Sequence, residues 1–304
     1  MVTIPMKLPT RQPGIRSKTR GGRLSFPAAA RLLPLPLPLP LLLPLLLPLL
    51  LAACAVSTQQ EVDMGANYAT QVDQQLPLVR DPEIVRYINV LGDSLARVAD
   101  TRNLEWHFFV VDSREVNAFA IPGGYVYINR GLIERAQTMN QLATVMGHEI
   151  GHVVKRHSIK QMQKAQGANI GVNLACILTH VCDSGLNQSL INLGGGVLFA
   201  KFSRNDESEA DVEGITLAVN AGIDPRGLPG MFRILLDERK ERPAGVDAWF
   251  LTHPLEEDRI AATRELLQQY PASQLDKLTV DTPNFQAFKK RLLAMPPPPV
   301  ARKK

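Results

Sequence analysis

The period of apolar residues changes several times along this chain, and each change predicts an element. From about residue 64 to 100 the apolar positions recur at helical spacing. Pro82 is placed to open a second helix there, with Val85, Tyr87, Ile88, Val90, Leu91, Leu95 and Val98 as its apolar face. Leu104 to Asp112 is rich in aromatic and β-branched residues and predicts a strand, with His107 as a strand residue rather than a ligand. Asn117 to Arg130 reads as two short strands around a turn at Pro122-Gly123-Gly124. Asn140 to Gly147 returns to helical spacing without proline. Met162 to Gly171 continues helical, and polarity then falls away towards residue 200. Apolar residues at helical spacing follow an acidic run at 203–211, and a last helix is predicted over Glu256–Leu267.

The first 53 residues have a different character. They hold seven Lys and Arg and no acid, then an almost pure Leu and Pro run from Leu32 to Leu51. A basic start, an apolar stretch and small residues before a break point make an export signal. Prolines at 34, 36, 38, 40, 44 and 48 argue against a regular membrane helix. Cys54 directly after Leu51-Ala52-Ala53 resembles a bacterial lipobox, with the cysteine as the lipidated residue. Ala55, not Asp, follows it, which by the same resemblance points to the outer membrane and the periplasm. The polar residues 54–63 then read as a tether, 64–275 as the folded domain and 276–304 as an extension ending in a Pro-rich, basic tail.

This division changes the charge argument. The whole chain is +5, with 34 basic and 29 acidic residues. Without the seven basic residues of the export signal, 27 basic stand against 29 acidic, a net of −2. The positive charge belongs to the signal, and no nucleic-acid partner follows from it. The remaining 251 residues suffice for one sizeable core.

The chemistry centres on His148-Glu149-Ile150-Gly151-His152. On a helix, positions i and i+4 stand about 40° apart on one face, so His148 and His152 can aim two imidazole nitrogens at one metal ion. Glu149, one residue on, can reach a water beside that ion as general base. The bland reading is an exposed helix with two surface histidines. Against it stands Ser203-Arg204-Asn205-Asp206-Glu207-Ser208-Glu209-Ala210-Asp211, where Ser203 or Asn205 can cap a helix. Glu207 and Asp211 again stand i and i+4. One can bind the metal and the other can accept the free N–H of a ligand histidine. Glu209 lies about 200° from Glu207 and is expected to point away.

Together these stretches, the first continuing through Val153-Val154-Lys155-Arg156-His157, with Asn117-Ala118-Phe119-Ala120-Ile121-Pro122-Gly123-Gly124, Thr252-His253-Pro254 and Arg259, resemble the zinc metallopeptidases related to the CAAX prenyl endopeptidase. That family includes the HtpX, Oma, BepA and LoiP types, and the resemblance covers roughly residues 60–270. It implies an α+β, mostly helical gluzincin fold with a small sheet beside the H-E-x-x-H helix. It implies one Zn2+ per chain on His148, His152 and Glu207, with Glu149 as base and Asp211 behind a ligand. Its HtpX-like members carry membrane helices, and its BepA type carries C-terminal helical repeats. Neither is expected here, and the short lipoprotein architecture of the LoiP type is the nearest.

The function expected is a periplasmic, lipid-anchored zinc endopeptidase that cleaves extended or misfolded envelope proteins, its edge strand holding the substrate main chain. Outer-membrane assembly machinery is a possible partner. The rival is a non-proteolytic chaperone or assembly factor for outer-membrane proteins. Two roles stay open for His253, before a helix and held out of the α conformation by Pro254. It can occupy the open metal position as a latch, or donate to the oxyanion with Arg259. Cys176 and Cys182 are candidates for a disulfide in an oxidising compartment. On one continuous helix they would stand about 9 Å apart, so a bond needs a break between them.

Overall fold

A computed structural model of the chain describes residues 56–99, 102–167, 201–241, 243–254 and 257–298. The expected export signal, Cys54, Cys176 and Cys182 lie outside the described residues. The elements run α1 (Thr58–Gln75), α2 (Pro82–Ala96), β1 (His107–Val111), β2 (Ala118–Ile121), β3 (Tyr125–Asn129) and α3 (Arg130–Arg135). They continue with α4 (Met139–Val154), α5 (His157–Gly167), α6 (Arg204–Asn220), α7 (Gly227–Glu241) and α8 (Pro243–Thr252). The last are α9 (Glu257–Leu267), α10 (Ala272–Leu275) and α11 (Pro283–Leu293). The fold is α+β and mostly helical, and among the described residues no helix is long and apolar enough to cross a membrane.

The three strands form one mixed sheet in the order β1-β3-β2. β1 runs parallel to β3, with Phe109 opposite Tyr127, and β2 runs antiparallel to it, with Phe119 opposite the same Tyr127. The hairpin turns where it was expected, since Gly123 and Gly124 take φ of 84° and 99°, a region that disfavours a side chain. β2, an edge strand of this sheet, packs on α4.

α4 is the centre of the molecule, packed by α2, α6, α7 and β2. Every residue from Leu142 to Val153 is buried. Polar groups placed this deep need partners. Thr144 Oγ1 finds one in its own helix, donating to Asn140 O at 2.8 Å. His148 and His152 face carboxylates on α6 and His253 after α8.

Three expectations need correction. The polar stretch 54–63 is not a tether throughout, because α1 begins at Thr58 under a capping box made by Ser57 and Gln60. Its Glu61 is fully buried, and Glu61 Oε2 accepts from Arg102 at 2.9 Å and Arg156 at 2.7 Å. The stretch from 276 on is part of the domain rather than an extension, since Phe285, Phe288 and Leu292 of α11 join the main core. The apolar face expected of α2 is met only in part. Ile88, Leu91 and Leu95 face the core as expected and Ile84 and Gly92 join them, whereas Val85, Val90 and Val98 are exposed. Small residues set that phase: a Cβ on Gly92 would lie 2.4 Å from the ring of Phe108.

Candidate metal centre

Three glycines bring the ligand helices together. A Cβ on Gly214 of α6 would lie 2.9 Å from the amide nitrogen of His148, and one on Gly147 of α4 would lie 3.2 Å from Gly214 Cα. One on Gly151 would lie 3.1 Å from the carbonyl oxygen of Ala210. The two backbones therefore approach more closely than side chains would permit, and the crossing holds the pair His148 and His152 beside the pair Glu207 and Asp211. α6 starts where it does because Ser203 caps it, in a capping box with Asp206.

At this crossing four buried donors converge. One ligand atom from each of His148, His152, Glu207 and His253 lies within 4.8 Å of all the others. His148 Nε2 is 3.0 Å from His152 Nε2 and 3.4 Å from His253 Nδ1. Glu207 Oε1 is 3.4 Å from His152 Nε2 and 3.1 Å from His253 Nδ1. Ligands bound tetrahedrally at about 2.0–2.1 Å stand about 3.3 Å from one another, so these separations suit the edges of one tetrahedron. The donor set, imidazole and carboxylate, suits a divalent metal. Glu149 lies beside it, its Oε1 buried without a hydrogen-bond partner and 3.5 Å from His253 Nε2.

A shell of charge orders the donors. Asp211 Oδ1 lies 2.9 Å from His148 Nδ1, which holds that ring's hydrogen at Nδ1 and leaves Nε2 a bare lone pair towards the cluster. Arg259 lies below both carboxylates. Its Nε donates to Asp211 Oδ2 at 2.6 Å, its Nη2 to Asp211 Oδ1 at 2.8 Å, and its Nη1 pairs with Glu207 Oε2. Burial raises the Glu149 carboxyl above its ordinary pKa, with only partial opposition from His253 and His148. Burial acts the same way on Glu207 and Asp211, but neighbouring cations outweigh it and hold both below the ordinary range. His253 and Arg259 do so at Glu207, and Arg259 at Asp211. Burial lowers His152 well below an ordinary histidine. At His253 burial also acts downward, but Glu149 and Glu207 outweigh it and raise the group.

A family model described as "Peptidase family M48" matches residues 83–267, which span the whole of this site. The chain belongs to peptidase family M48. The beta-barrel assembly-enhancing protease of Escherichia coli K12 is 33% identical over 255 residues, which are 80% of this chain and 50% of that protein. The metalloprotease LoiP of the same organism is 33% identical over 184 residues, 60% of this chain and 70% of LoiP. The mitochondrial metalloendopeptidase OMA1 of Schizosaccharomyces pombe is 28% identical over 222 residues, 71% of this chain and 63% of that protein. The chain thus spans about half the length of the beta-barrel assembly-enhancing protease it matches.

In this M48 chain the structure gathers His148, Glu149, His152, Glu207, Asp211, His253 and Arg259 at one point. Arg259 is bound up with Asp211, Glu207 and the carbonyl of Pro254, 3.1 Å from its Nη1. His107 sits on the sheet, stacked on Tyr125 at 4.8 Å between ring centres. Two neighbours of His152 had no assigned role in the sequence reading. Phe202 stacks on its ring at 4.0 Å, and Phe202 N donates to Thr252 O at 3.1 Å, joining the start of α6 to the His253 segment. His157 stands with Nδ1 2.9 Å from His152 Nδ1. His157 closes the ten-residue run that begins at His148, but its spacing from His152 does not by itself bring the two rings together; Arg156 in the left-handed region (φ 59°) turns the chain back.

Proposed function

We propose that this chain is a zinc metalloendopeptidase that binds its ion through His148, His152 and Glu207 and uses Glu149 as general base. The convergence of the buried histidine and glutamate donors, with the buried, unpartnered Glu149 Oε1 next to His253, carries this reading. Zinc supplies a Lewis acid and lowers the pKa of water towards 7. The protein does the rest. Glu149, raised by burial, takes a proton from the attacking water and returns it to the leaving amine. Asp211 keeps His148 in the ligating tautomer. Arg259 anchors Glu207 and Asp211 and so acts as a positioning residue rather than an oxyanion donor. β2 holds an extended substrate by main-chain pairing.

His253 is the latch in this reading. Its Nδ1 stands within 3.1–3.4 Å of Glu207 and His148, where a fourth ligand belongs. It must withdraw before substrate is cut. Cys54 is the lipid anchor, the compartment is the periplasm at the outer membrane, and the substrates are extended or misfolded envelope proteins. The relation to a protease named for beta-barrel assembly supports that substrate class.

The test is zinc content and casein cleavage by wild type and Glu149→Gln. The variant should hold one zinc per chain and lose at least about a hundredfold in rate. An equally active Glu149→Gln refutes the assignment of the base. A wild type that binds zinc but leaves casein intact points to the non-proteolytic assembly factor instead. Cell fractionation of Cys54→Ala checks the anchor, which is wrong if the variant stays acylated and membrane-bound.

A further inference from the structure

Behind His152, on the side away from the four donors, stand two groups that the chemistry above leaves unused. His157 is fully buried. Its Nδ1 lies 2.9 Å from His152 Nδ1, and its Nε2 lies 3.3 Å from Glu209 Oε2 and 3.7 Å from Asp206 Oδ1. Glu209 is steadied in turn by Asn205 Nδ2, 2.7 Å from its Oε1, and by Lys160 Nζ, 3.9 Å from its Oε2. We propose that His157, held by Glu209, is a positioning residue that fixes the tautomer of His152 and keeps its Nε2 free to bind the metal. The inference rests on the reading of His152 as a ligand.

The hydrogens follow from the contacts. Two imidazole nitrogens 2.9 Å apart share one hydrogen, so one ring donates and the other offers a lone pair. The far end of the chain of contacts decides which. An ionised carboxylate only accepts, so His157 carries its hydrogen on Nε2 and donates it to Glu209. Nδ1 of His157 is then bare and accepts from His152 Nδ1–H. That leaves the lone pair of His152 on Nε2, the atom 3.0 Å from His148 Nε2 and 3.4 Å from Glu207 Oε1. In the opposite tautomer two lone pairs would face each other at 2.9 Å in a buried place.

The two ligand histidines are therefore held by related devices of different length. Asp211 touches His148 directly. Glu209 lies two residues after Glu207, on another side of α6, with its side chain 40% exposed. It reaches His152 only through His157. The left-handed Arg156 makes this possible by ending α4 and bringing His157 back under His152.

The test measures zinc affinity by competition with a chelator on purified, folded full-length protein. His157→Phe fills the space without an acceptor and should weaken zinc by about 10–100-fold. His157→Asn places an amide oxygen near the old Nδ1 and should restore affinity to within about threefold of wild type, a smaller loss than an uncompensated contact causes. Imidazole-detected NMR of the zinc-free protein should show the His152 hydrogen on Nδ1 in wild type and a mixture of tautomers in Glu209→Ala, a variant that keeps the buried ring and guards against misfolding of His157→Phe. Wild-type affinity in His157→Phe, equal losses in Phe and Asn variants, or a His152 hydrogen on Nε2 would each overturn the proposal. His152→Ala separates the two readings. If it binds zinc normally, the ligand assignment itself fails. If it loses zinc while His157→Phe does not, only the positioning role fails.

Discussion

The two halves of the metal centre are held in different ways. One half, His148 and His152 facing Glu207 and Asp211, stands on two helices whose backbones touch through Gly147, Gly151 and Gly214. The other, His253 just after α8 and Arg259 in the first turn of α9, meets the carboxylates through side-chain contacts. His253 stacks on Trp249 at 4.6 Å, and Arg259 ties down the carboxylates and lies over the ring of Phe232 at 4.6 Å. Backbone packing has no second arrangement of similar energy, because interiors are close-packed. A stacked ring and a few hydrogen bonds can be exchanged for others. Both halves deliver buried donors to one point, and under the proposed latch it is the second that withdraws.

Three substitutions bear on this contrast. The largest effect is expected from the fixed half. Glu207→Ala should weaken zinc by more than the roughly hundredfold typical of losing a residue behind a ligand, and the peptidase activity should go with it. Normal zinc binding in this variant, with loss in Glu209→Ala instead, would place the metal on the wrong face of α6. From the withdrawing half, His253→Ala should keep zinc and raise basal casein cleavage. The gain should be about tenfold or more if the open form is a minor state of 10% or less. A fall of about 10²–10³ would make His253 an oxyanion donor, and the two halves would then be equally fixed. The smallest effect, Gly214→Ala, probes the crossing itself. Its methyl must displace the His148 backbone, an overpacking expected to cost about 1–3 kcal/mol. At about 2–4 °C of melting temperature per kcal/mol, thermal unfolding monitored by circular dichroism would show it. An unchanged melting temperature would mean that the helices separate freely.

The same division marks what the amino-acid sequence made legible. The fixed half was readable because both its residue pairs, His148 with His152 and Glu207 with Asp211, obey the helical i, i+4 rule, and the H-E-x-x-H run has few other uses. The hairpin was readable because Gly123 and Gly124 supply a conformation that other residues avoid. The face of α2 was read correctly at Ile88, Leu91 and Leu95 and too broadly at Val85 and Val90, because Gly92 and Ala96, buried against the core, carry no weight in a count of large apolar residues. Glu61 was read as tether because an acid in a polar run gives no sign of Arg102 and Arg156, 41 and 95 residues away. His157 was missed for a similar reason. Its approach to His152 depends on a left-handed Arg156, and nothing in the residue type announces that. Period and motif report neighbours along a helix, while the supports of this site are neighbours in space.

The spread of the donors has a thermodynamic consequence. His148 and His152 are close along the chain, but Glu207 follows 46 residues before His253, and His253 lies 105 residues from His148. The unfolded chain can offer an ion the histidine pair of one helical turn and little more, since closing the longer loops costs entropy. A metal held by these residues would therefore bind the native state far more tightly than the unfolded one. Free metal at a thousand times its dissociation constant adds about 4 kcal/mol to stability, a sizeable share of what a domain ordinarily has. A metal held by this cluster would thus be a folding ligand as well as a reagent, and its free concentration would set how much folded protein survives.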